Sequence, residues 1–430
     1  MSDNRAVQSE DRDLMREGNE ARARPIMAAK VLCGRGVLLL TTAAPGGIRF
    51  VQLAVFTALY GLTASGIAAS AVNIAQLLGT VSAIGFCSLL LTRLPSTLSG
   101  AERRTLTGRL LMAMLMATAG LLAVGFVVAL ALAQVKWFAS VSLLTMGWCL
   151  QQFARHVLIS MRRFVLALVH DFVFMSTSLA LFWLCRGKPF ELLYFSEAFA
   201  CCCALSIVVP LLGYRSIRGL FAARTSLRGD FRPGLGLGMN NLLSAAPSLL
   251  LVPAVSLFAG HATAGLIAFA SNILNVLGLI PRAISINSLV RMVDEASVRT
   301  VSVALKRSIH RYLALAIPVF IMCIAYGFYA SAAPLSAFEI IGSILLMLAF
   351  SLQQLALPVS NLLMKREKTA GPLLVGAVSS AAFLLICLVG YGLRGLSDLR
   401  LSPFAGVAVA GCVRYVLLMR QAKAMEQVNA

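Results

Sequence analysis

Three arginines lie inside or beside long apolar segments of this chain, at Arg49, Arg155 and Arg282. Arg49 is 13 residues before the outer end of a predicted membrane span, which places it about 20 Å below that surface. An arginine at such depth is costly unless it faces water or a partner, and its planar guanidinium suits phosphate oxygens. Three such side chains converging on one cavity would form an anion site. The alternative for Arg49 and Arg282 is that they snorkel to the lipid headgroups.

Two carboxylates are also placed about two turns inside predicted spans. Asp171 follows His170 in the fifth span, and Glu197 lies in the sixth. An intramembrane carboxylate can bind a proton or a sodium ion for coupling, or it can pair with a neighbouring arginine. Both interpretations remain open for Asp171 and Glu197. Glu339 is a weaker candidate for coupling because it is shallow enough to reach the headgroups.

A polar pattern recurs in the two halves of the chain. The segment from Gly66 to Gly79 (GIAASAVNIAQLLG) matches Gly265 to Gly278 (GLIAFASNILNVLG), 199 positions later, at seven of fourteen positions. Such self-similarity indicates an internal repeat, as membrane transporters often contain. Four amides stand at matching places in the repeat. They are predicted either to form hydrogen bonds between helices or to line a path for a polar substrate, and they are Asn73, Gln76, Asn272 and Asn275.

The elements that must position these side chains are membrane helices. The mean hydropathy of +0.86, with 59% apolar and only 13% charged residues, exceeds what a soluble core needs. Runs of about 20 apolar residues can cross roughly 30 Å of hydrocarbon as helices. The first span is predicted to be kinked or broken near Pro45. Twelve spans are predicted, at 37–62, 67–91, 110–133, 138–160, 164–185, 190–213, 235–258, 264–286, 312–330, 336–363, 370–392 and 402–419.

The basic residues set the predicted orientation. Most of the 37 Lys and Arg residues fall on one side of this map, so the positive-inside rule places both termini in the cytoplasm. Because these charges are scattered among short loops, the net charge of +20 is expected to face anionic membrane lipids and not nucleic acid. The predicted organisation is a disordered tail (1–35), an N-terminal six-helix lobe (36–214), a basic linker (215–233), a C-terminal six-helix lobe (234–420) and a short cytoplasmic tail (421–430).

Enzymatic chemistry is not expected. The sequence has no phosphate-binding glycine loop, no metal-binding histidine motif and no nucleophile elbow, and no outer loop is long enough to hold an acceptor. The ten cysteines lack metal-ligand spacing and are interpreted as small apolar residues of the helices. We therefore expect no metal and no cofactor, and a protein that moves a substrate across the membrane.

The pattern resembles a polysaccharide flippase of the multidrug/oligosaccharidyl-lipid/polysaccharide exporter superfamily. The resemblance is carried by the first span with Arg49, by the turn Gly61-Leu-Thr-Ala-Ser-Gly66 and by the related turn His261-Ala-Thr-Ala-Gly265. It covers about residues 36–420, as a pattern of spans with few diagnostic residues. The chain departs from the family after its first span, where Thr63-Ala64-Ser65-Gly66 lacks the usual acidic and aromatic residues.

The resemblance implies a specific architecture and cargo. It implies an all-α membrane protein with twelve helices in two six-helix lobes, related by a parallel repeat around a central cavity. Cationic residues of that cavity would hold the diphosphate of a polyprenyl-linked oligosaccharide. Arg49 matches the basic residue of the family's first span, whereas Arg155 and Arg282 match by location only.

On this interpretation the protein belongs to a bacterial inner membrane and uses a proton or sodium ion for coupling. It would act beside other polysaccharide assembly proteins. Two alternatives remain open: a cation-coupled drug or metabolite exporter of the same superfamily, and a membrane glycan polymerase or ligase. The exporter ranks second because cationic drugs favour an acidic cavity, whereas the deepest ionisable groups here are mostly basic.

Overall fold

The regular elements of the described chain are helices, because backbone polar groups cannot stay unpaired in hydrocarbon. The computed structural model describes residues 3–94, 99–187, 190–205, 227–281, 295–331, 336–365, 370–393 and 399–428. In chain order the elements are α1 (Asp3–Gly79), a π-helical turn (Thr80–Ile84), α2 (Gly85–Arg93), α3 (Gly100–Ala131), α4 (Val135–Ser160), α5 (Phe164–Leu184), α6 (Phe190–Leu205), α7 (Leu227–Ala259), α8 (His261–Leu277), α9 (Glu295–Ser331), α10 (Ala337–Lys365), α11 (Ala370–Gly392) and α12 (Ser402–Val428).

These helices form a multi-pass membrane protein with two six-span lobes. Nine segments of the described chain are long and apolar enough to cross a membrane, and one of them, Ala43–Arg93, covers most of the first and all of the second predicted span. The remaining two spans are α4, whose apolar run is interrupted by Gln and Arg, and α6, whose predicted end lies outside the described residues. The predicted fold class is thus confirmed, with α1–α6 in the N-terminal lobe and α7–α12 in the C-terminal lobe.

Two helices begin earlier than the sequence pattern predicts. α1 is helical from Asp3, although residues 1–35 were expected to be disordered, and the tract from Glu20 to Arg24 consists of the strong helix formers Glu, Ala and Arg. α7 begins at Leu227, before the predicted lobe boundary at 234. Its first turn is held by Asp230, which pairs with arginines of the other lobe. Residues 215–226 of the predicted linker lie outside the described residues.

The predicted break at Pro45 is wrong. Within α1 the helix runs through Pro45 and its only non-helical residue is Gly61 (φ 83°, ψ 171°). A proline removes the hydrogen bond to the carbonyl four residues earlier, which here is the carbonyl of Thr41. The guanidinium of Arg155 donates to that carbonyl and replaces the missing backbone donor. The first span therefore passes the proline unbroken and ends at Gly61.

The breaks that separate the first two spans of each lobe are equivalent. Gly61 (φ 83°) ends the first span, and Gly260 (φ 88°, ψ 167°) precedes α8 at the position 199 residues later. Backbone with such positive φ is accessible to glycine and strained for other residues. The internal repeat thus extends to backbone conformation, because a glycine with positive φ lies five residues before each copy of the 14-residue segment.

The two copies of the repeat pack directly against each other. A Cβ atom on Gly66 would overlap the carbonyl oxygen of His261, and a Cβ on Gly265 would overlap that of Leu62. Leu62 and His261 are themselves 199 positions apart, so the two contacts are reciprocal. A self-complementary contact of this kind requires a two-fold axis, here a pseudo-two-fold axis between Gly66 and Gly265.

Gly66→Ala is expected to destabilise the protein by about 1–3 kcal/mol, because the new methyl group has no space against His261 and the helices must separate. The measurement is the thermal unfolding midpoint of the purified protein in detergent. Gly47→Ala is the matched control, since that helical position has no atom within 4 Å of a new Cβ. Equal midpoints for the two variants would contradict the close helix contact.

At the other end of the second span, α7 packs against the N-terminal lobe. Asp230, only 2% exposed, accepts from Arg93 (Nη1–Oδ1 2.5 Å) and from Arg109 (Nη2–Oδ2 2.7 Å). A Cβ on Gly85 would overlap the carbonyl oxygen of Gly234, so the backbones of the two helices touch. In the predicted orientation this closed end faces the cytoplasm.

Candidate functional site

A cavity of about 640 Å³ lies between the lobes. Its wall is formed by α1, the π-helical turn, α4, α5 and α6 from the N-terminal lobe, and by α7, α8, α10 and α12 from the C-terminal lobe. Both lobes therefore contribute to one chamber, at the depth of the membrane helices. This volume is typical of cavities that bind small molecules or headgroups.

The cavity follows the pseudo-two-fold axis. Residues 199 positions apart line it in pairs, and the four amides predicted to line a path all lie on its wall. The Nδ2 of Asn272 donates to the carbonyl of Ala268 at 2.9 Å within its own helix. The pairs are Pro45 with Ser244, Arg49 with Ser248, Leu53 with Val252, Ala69 with Ala268, Val72 with Ser271, Asn73 with Asn272, and Gln76 with Asn275.

A second repeat lines the same cavity, and the predicted lining omitted it. Leu150-Gln151-Gln152 in α4 recurs as Leu352-Gln353-Gln354 in α10, 202 positions later, with five identities in eight residues. All four glutamines line the cavity. The signal was present in the sequence, because an LQQ-x-A-x-x-V pattern occurs in both halves. Four more amides are thus added to those of α1 and α8.

Arg49 lines the cavity from α1 and is half-buried. Among the described residues its guanidinium has no hydrogen-bond or ion-pair partner, although Glu197 is close enough to interact with it electrostatically. Glu197 lines the cavity from α6. A guanidinium with uncommitted donors inside a membrane cavity is an anion site that the protein itself does not satisfy.

Arg155 occupies a different position, buried behind the wall. Its Nε donates to Asp171 Oδ2 at 2.9 Å, and its Nη2 donates to the carbonyl of Thr41. Asp171 lies in the wall and is 1% exposed, with His170 Nδ1 3.4 Å from its Oδ1. Two donors of Arg155 are therefore engaged by α5 and α1. Its role in substrate binding stays a prediction, as does ion coupling at Asp171.

Two further arginines are relevant to the site, one that was predicted and one that was not. Arg282 lies outside the described residues. Arg414, which was not predicted although it lies inside the twelfth predicted span (402–419), lines the cavity from α12 and donates from Nη1 to the carbonyl of Ser244 at 2.8 Å. The charged residues of the described lining are thus Arg49, Arg414, Asp171 and Glu197. The wall is otherwise dominated by amides, hydroxyls and apolar side chains.

Several buried polar atoms of this wall have no hydrogen-bond partner within the described chain. A buried polar group without a partner costs about 1–3 kcal/mol, so a group of them in one cavity indicates contact with water or a ligand. Three side chains carry nitrogen donors and two carry oxygens. These atoms are Gln52 Nε2, Gln76 Nε2, Trp148 Nε1, Ser271 Oγ and Gln354 Oε1.

The architecture and the cavity define a two-lobed helical membrane protein with a polar chamber on its pseudo-two-fold axis. No family model and no curated protein matches the sequence. Solved structures do match. The lipid II flippase MurJ, in an inward closed conformation, has a TM-score of 0.62 at 12% identity over 91% of this chain and 87% of that one.

Two other structures are similar over nearly their whole length. The eukaryotic MATE transporter AtDTX14 has a TM-score of 0.61 at 15% identity, covering 90% of this chain and 93% of that one. An inward-facing multidrug resistance MATE family transporter of the MOP superfamily has a TM-score of 0.59 at 12% identity, covering 92% and 96%. The fold that the predicted resemblance implies, a helical membrane protein with two six-helix lobes, is therefore confirmed.

Proposed function

We propose that this protein flips a polyprenyl-diphosphate-linked oligosaccharide across a bacterial inner membrane by alternating access, for the synthesis of a surface polysaccharide. The observation that carries the proposal is the position of Arg49, whose guanidinium faces a chamber shared by both lobes and has no hydrogen-bond partner among the described residues. A diphosphate offers the oxygens that this group lacks, and the fork geometry of arginine suits them.

The rest of the wall supports a hydroxyl-rich cargo. Amides donate and accept hydrogen bonds without carrying charge, which matches the mixed donors and acceptors of sugar hydroxyls. The aromatic side chain of Trp148 lies in the same wall and adds an apolar face with a donor at its edge. A diphosphate-linked sugar satisfies both the cation and the amides, whereas a free anion would leave the amides to water.

Alternating access requires closures at both ends that open in turn. On one side Gly66 and Gly265 hold α1 and α8 together, and on the other Asp230 holds α7 to Arg93 and Arg109. Opening toward the cytoplasm would break the Asp230 pairs while the glycine contact stays closed. Gly66 begins the second span and Arg93 ends it, so the two contacts lie on opposite sides of the membrane region and a rocking motion of the lobes would exchange them.

Coupling to an ion is assigned to Glu197 in this proposal. Its carboxylate competes with the substrate diphosphate for Arg49, because both are anionic and Arg49 interacts with Glu197 across the same chamber. A proton or sodium ion on Glu197 would release Arg49 for the substrate. Asp171 is the second candidate, but it is already paired with Arg155.

A second candidate function is a cation-coupled exporter of drugs or metabolites. The observation that favours it is the presence of Glu197 and Asp171 in the wall, since intramembrane carboxylates are suited to cationic substrates. It ranks lower because Asp171 is neutralised by Arg155 and because Arg49 and Arg414 would repel a cation.

The test is a flipping assay with the purified full-length chain in proteoliposomes. One probe is a fluorescent polyprenyl-diphosphate disaccharide, and a membrane-impermeant reductant reports its fraction in the outer leaflet. The other is a lipophilic cationic dye in a transport assay driven by a proton or sodium gradient. We expect flipping of the glycolipid above that of protein-free liposomes. Dye transport without glycolipid flipping would instead establish the exporter.

A further inference from the structure

The two LQQ segments are equivalent in sequence but differ in how their amides are used. In α4, Gln152 Nε2 donates to Gln151 Oε1 at 2.8 Å, so this pair partly satisfies itself. In α10, Gln353 Nε2 donates to Ser248 Oγ at 3.3 Å, and Gln354 Oε1 has no partner within the described chain. Gln354 is only 3% exposed, yet it lies in the cavity wall. The C-terminal half of the repeat therefore contains a wall glutamine whose amide oxygen is buried and unsatisfied.

A second polar side chain of the C-terminal lobe also lacks a hydrogen-bond partner. The hydroxyl of Ser271 in α8 lies in the cavity wall and has no partner among the described residues. Asn275 lies in the wall one turn further along that helix. In the described part of the chain, the wall contributed by the C-terminal lobe contains no carboxylate, and its cation, Arg414, is engaged by the Ser244 carbonyl.

The unsatisfied nitrogen donors and the unsatisfied oxygens of the wall are divided between the lobes. Arg49, Glu197, Asp171 and the three unsatisfied nitrogen donors belong to the N-terminal lobe, whereas the two unsatisfied oxygens, of Gln354 and Ser271, belong to the C-terminal lobe. At the pseudo-symmetric position of Arg49 the C-terminal lobe has Ser248, which already accepts from Gln353. A ligand with one anionic end and one hydroxyl-rich end would match this division.

We infer that Gln354 and Ser271 form the subsite that holds the first sugar of the cargo, while Arg49 holds its diphosphate. This inference rests on the proposed function and adds to it the orientation of the substrate across the two lobes. Sugar hydroxyls donate to Gln354 Oε1 and can either donate to or accept from Ser271 Oγ. A site built to hydrogen-bond hydroxyls discriminates strongly against an analogue that lacks them.

The test measures equilibrium binding to the full-length protein in lipid nanodiscs by titration calorimetry. The sugar-bearing probes are farnesyl diphosphates carrying glucose or N-acetylglucosamine. The sugar-free probe is the methyl ester of farnesyl diphosphate, which has the same charge and no sugar. For the wild-type protein we expect the sugar to tighten binding by about tenfold, the effect of roughly one or two hydrogen bonds.

Gln354→Met is expected to remove this gain and to leave binding of the sugar-free probe unchanged. Met preserves the length of the side chain and removes the amide. Gln134→Met is the matched control, because Gln134 is exposed between α3 and α4, away from the cavity. Ser271→Ala provides an independent second variant with a minimal change in volume, and we expect it to reduce the gain as well.

Each remaining outcome contradicts a different statement. If the wild-type protein binds the sugar-free and sugar-bearing probes equally, the sugar subsite is wrong and the diphosphate site stands. Absence of binding for both probes would instead contradict the proposed function. If Gln354→Met and Ser271→Ala weaken both probes equally, these side chains support the shape of the cavity and do not select the sugar.

Discussion

Arg49→Ala is expected to lower the initial rate of glycolipid flipping by about 30-fold or more. Truncating one partner of a desolvated charge pair costs about 2–5 kcal/mol, and about 1.4 kcal/mol corresponds to a factor of ten. The loss should be large because Arg49 has no hydrogen-bond or ion-pair partner in the described chain, so its donors are available to the diphosphate. The measurement is the proteoliposome assay, with the amount of inserted protein determined for each variant.

Three companion variants separate charge from geometry in the same assay. Arg49→Lys should restore part of the rate, because it keeps the positive charge but loses the bidentate fork. Arg49→Ala combined with Glu197→Gln should be faster than Arg49→Ala alone, since the remaining carboxylate no longer repels the diphosphate. Arg163→Ala is the control, because Arg163 is exposed between α4 and α5. A wild-type rate for Arg49→Ala would remove Arg49 from the mechanism.

The repeat of α1 and α8 could be predicted from sequence because it preserves both residue type and spacing. Asn73 and Asn272 occupy equivalent positions of the cavity wall, and small residues such as Gly66 and Gly265 occur where helices touch. A constant offset of 199 positions makes such pairs visible without a structure. Ten of the twelve spans meet the criterion of apolar length, which is the strongest constraint on a chain in a membrane.

The remaining lining was harder to predict. The two LQQ segments are 202 positions apart, whereas the copies of the first repeat are 199 positions apart. An alignment of the two halves at 199 therefore misplaces the second LQQ segment by three residues. The depth of Arg414 depends on how α12 sits against α7, where its guanidinium reaches the Ser244 carbonyl. The break predicted near Pro45 is absent for a related reason, because Arg155, which donates to the Thr41 carbonyl, is 114 residues away from Thr41 in sequence. Compensation by a distant side chain has no local signature.

Breaking the Arg155–Asp171 pair is expected to have the largest effect on stability. Arg155→Met would leave Asp171 buried without its guanidinium partner and the Thr41 carbonyl without a donor. Removing one partner of a buried ion pair costs about 3–5 kcal/mol, because the other charge stays uncompensated. We expect a clear drop in the thermal unfolding midpoint, whereas Arg163→Met, which changes an exposed arginine just beyond the end of α4, should leave it unchanged.

The double variant distinguishes a pair from two independent residues. Asp171→Leu removes the stranded carboxylate, so Arg155→Met combined with Asp171→Leu should be less destabilised than the sum of the two single changes. Recovery should remain incomplete, because the Thr41 carbonyl that Pro45 leaves without a backbone donor is still unpaired. Additive effects of the two changes would contradict the ion pair.

The same variants also decide between the two roles considered for Arg155. In the structural role, Arg155 pairs with Asp171 and donates to the carbonyl that Pro45 leaves without a backbone donor. This keeps α1 helical at the proline and so positions Arg49 one turn further along the same helix. Loss of the pair should then lower stability and flipping together, and the double variant should recover both. If Arg155→Met kept the stability of the wild-type protein but lost flipping, its guanidinium would bind the diphosphate directly. The pair with Asp171 would then have to open during transport.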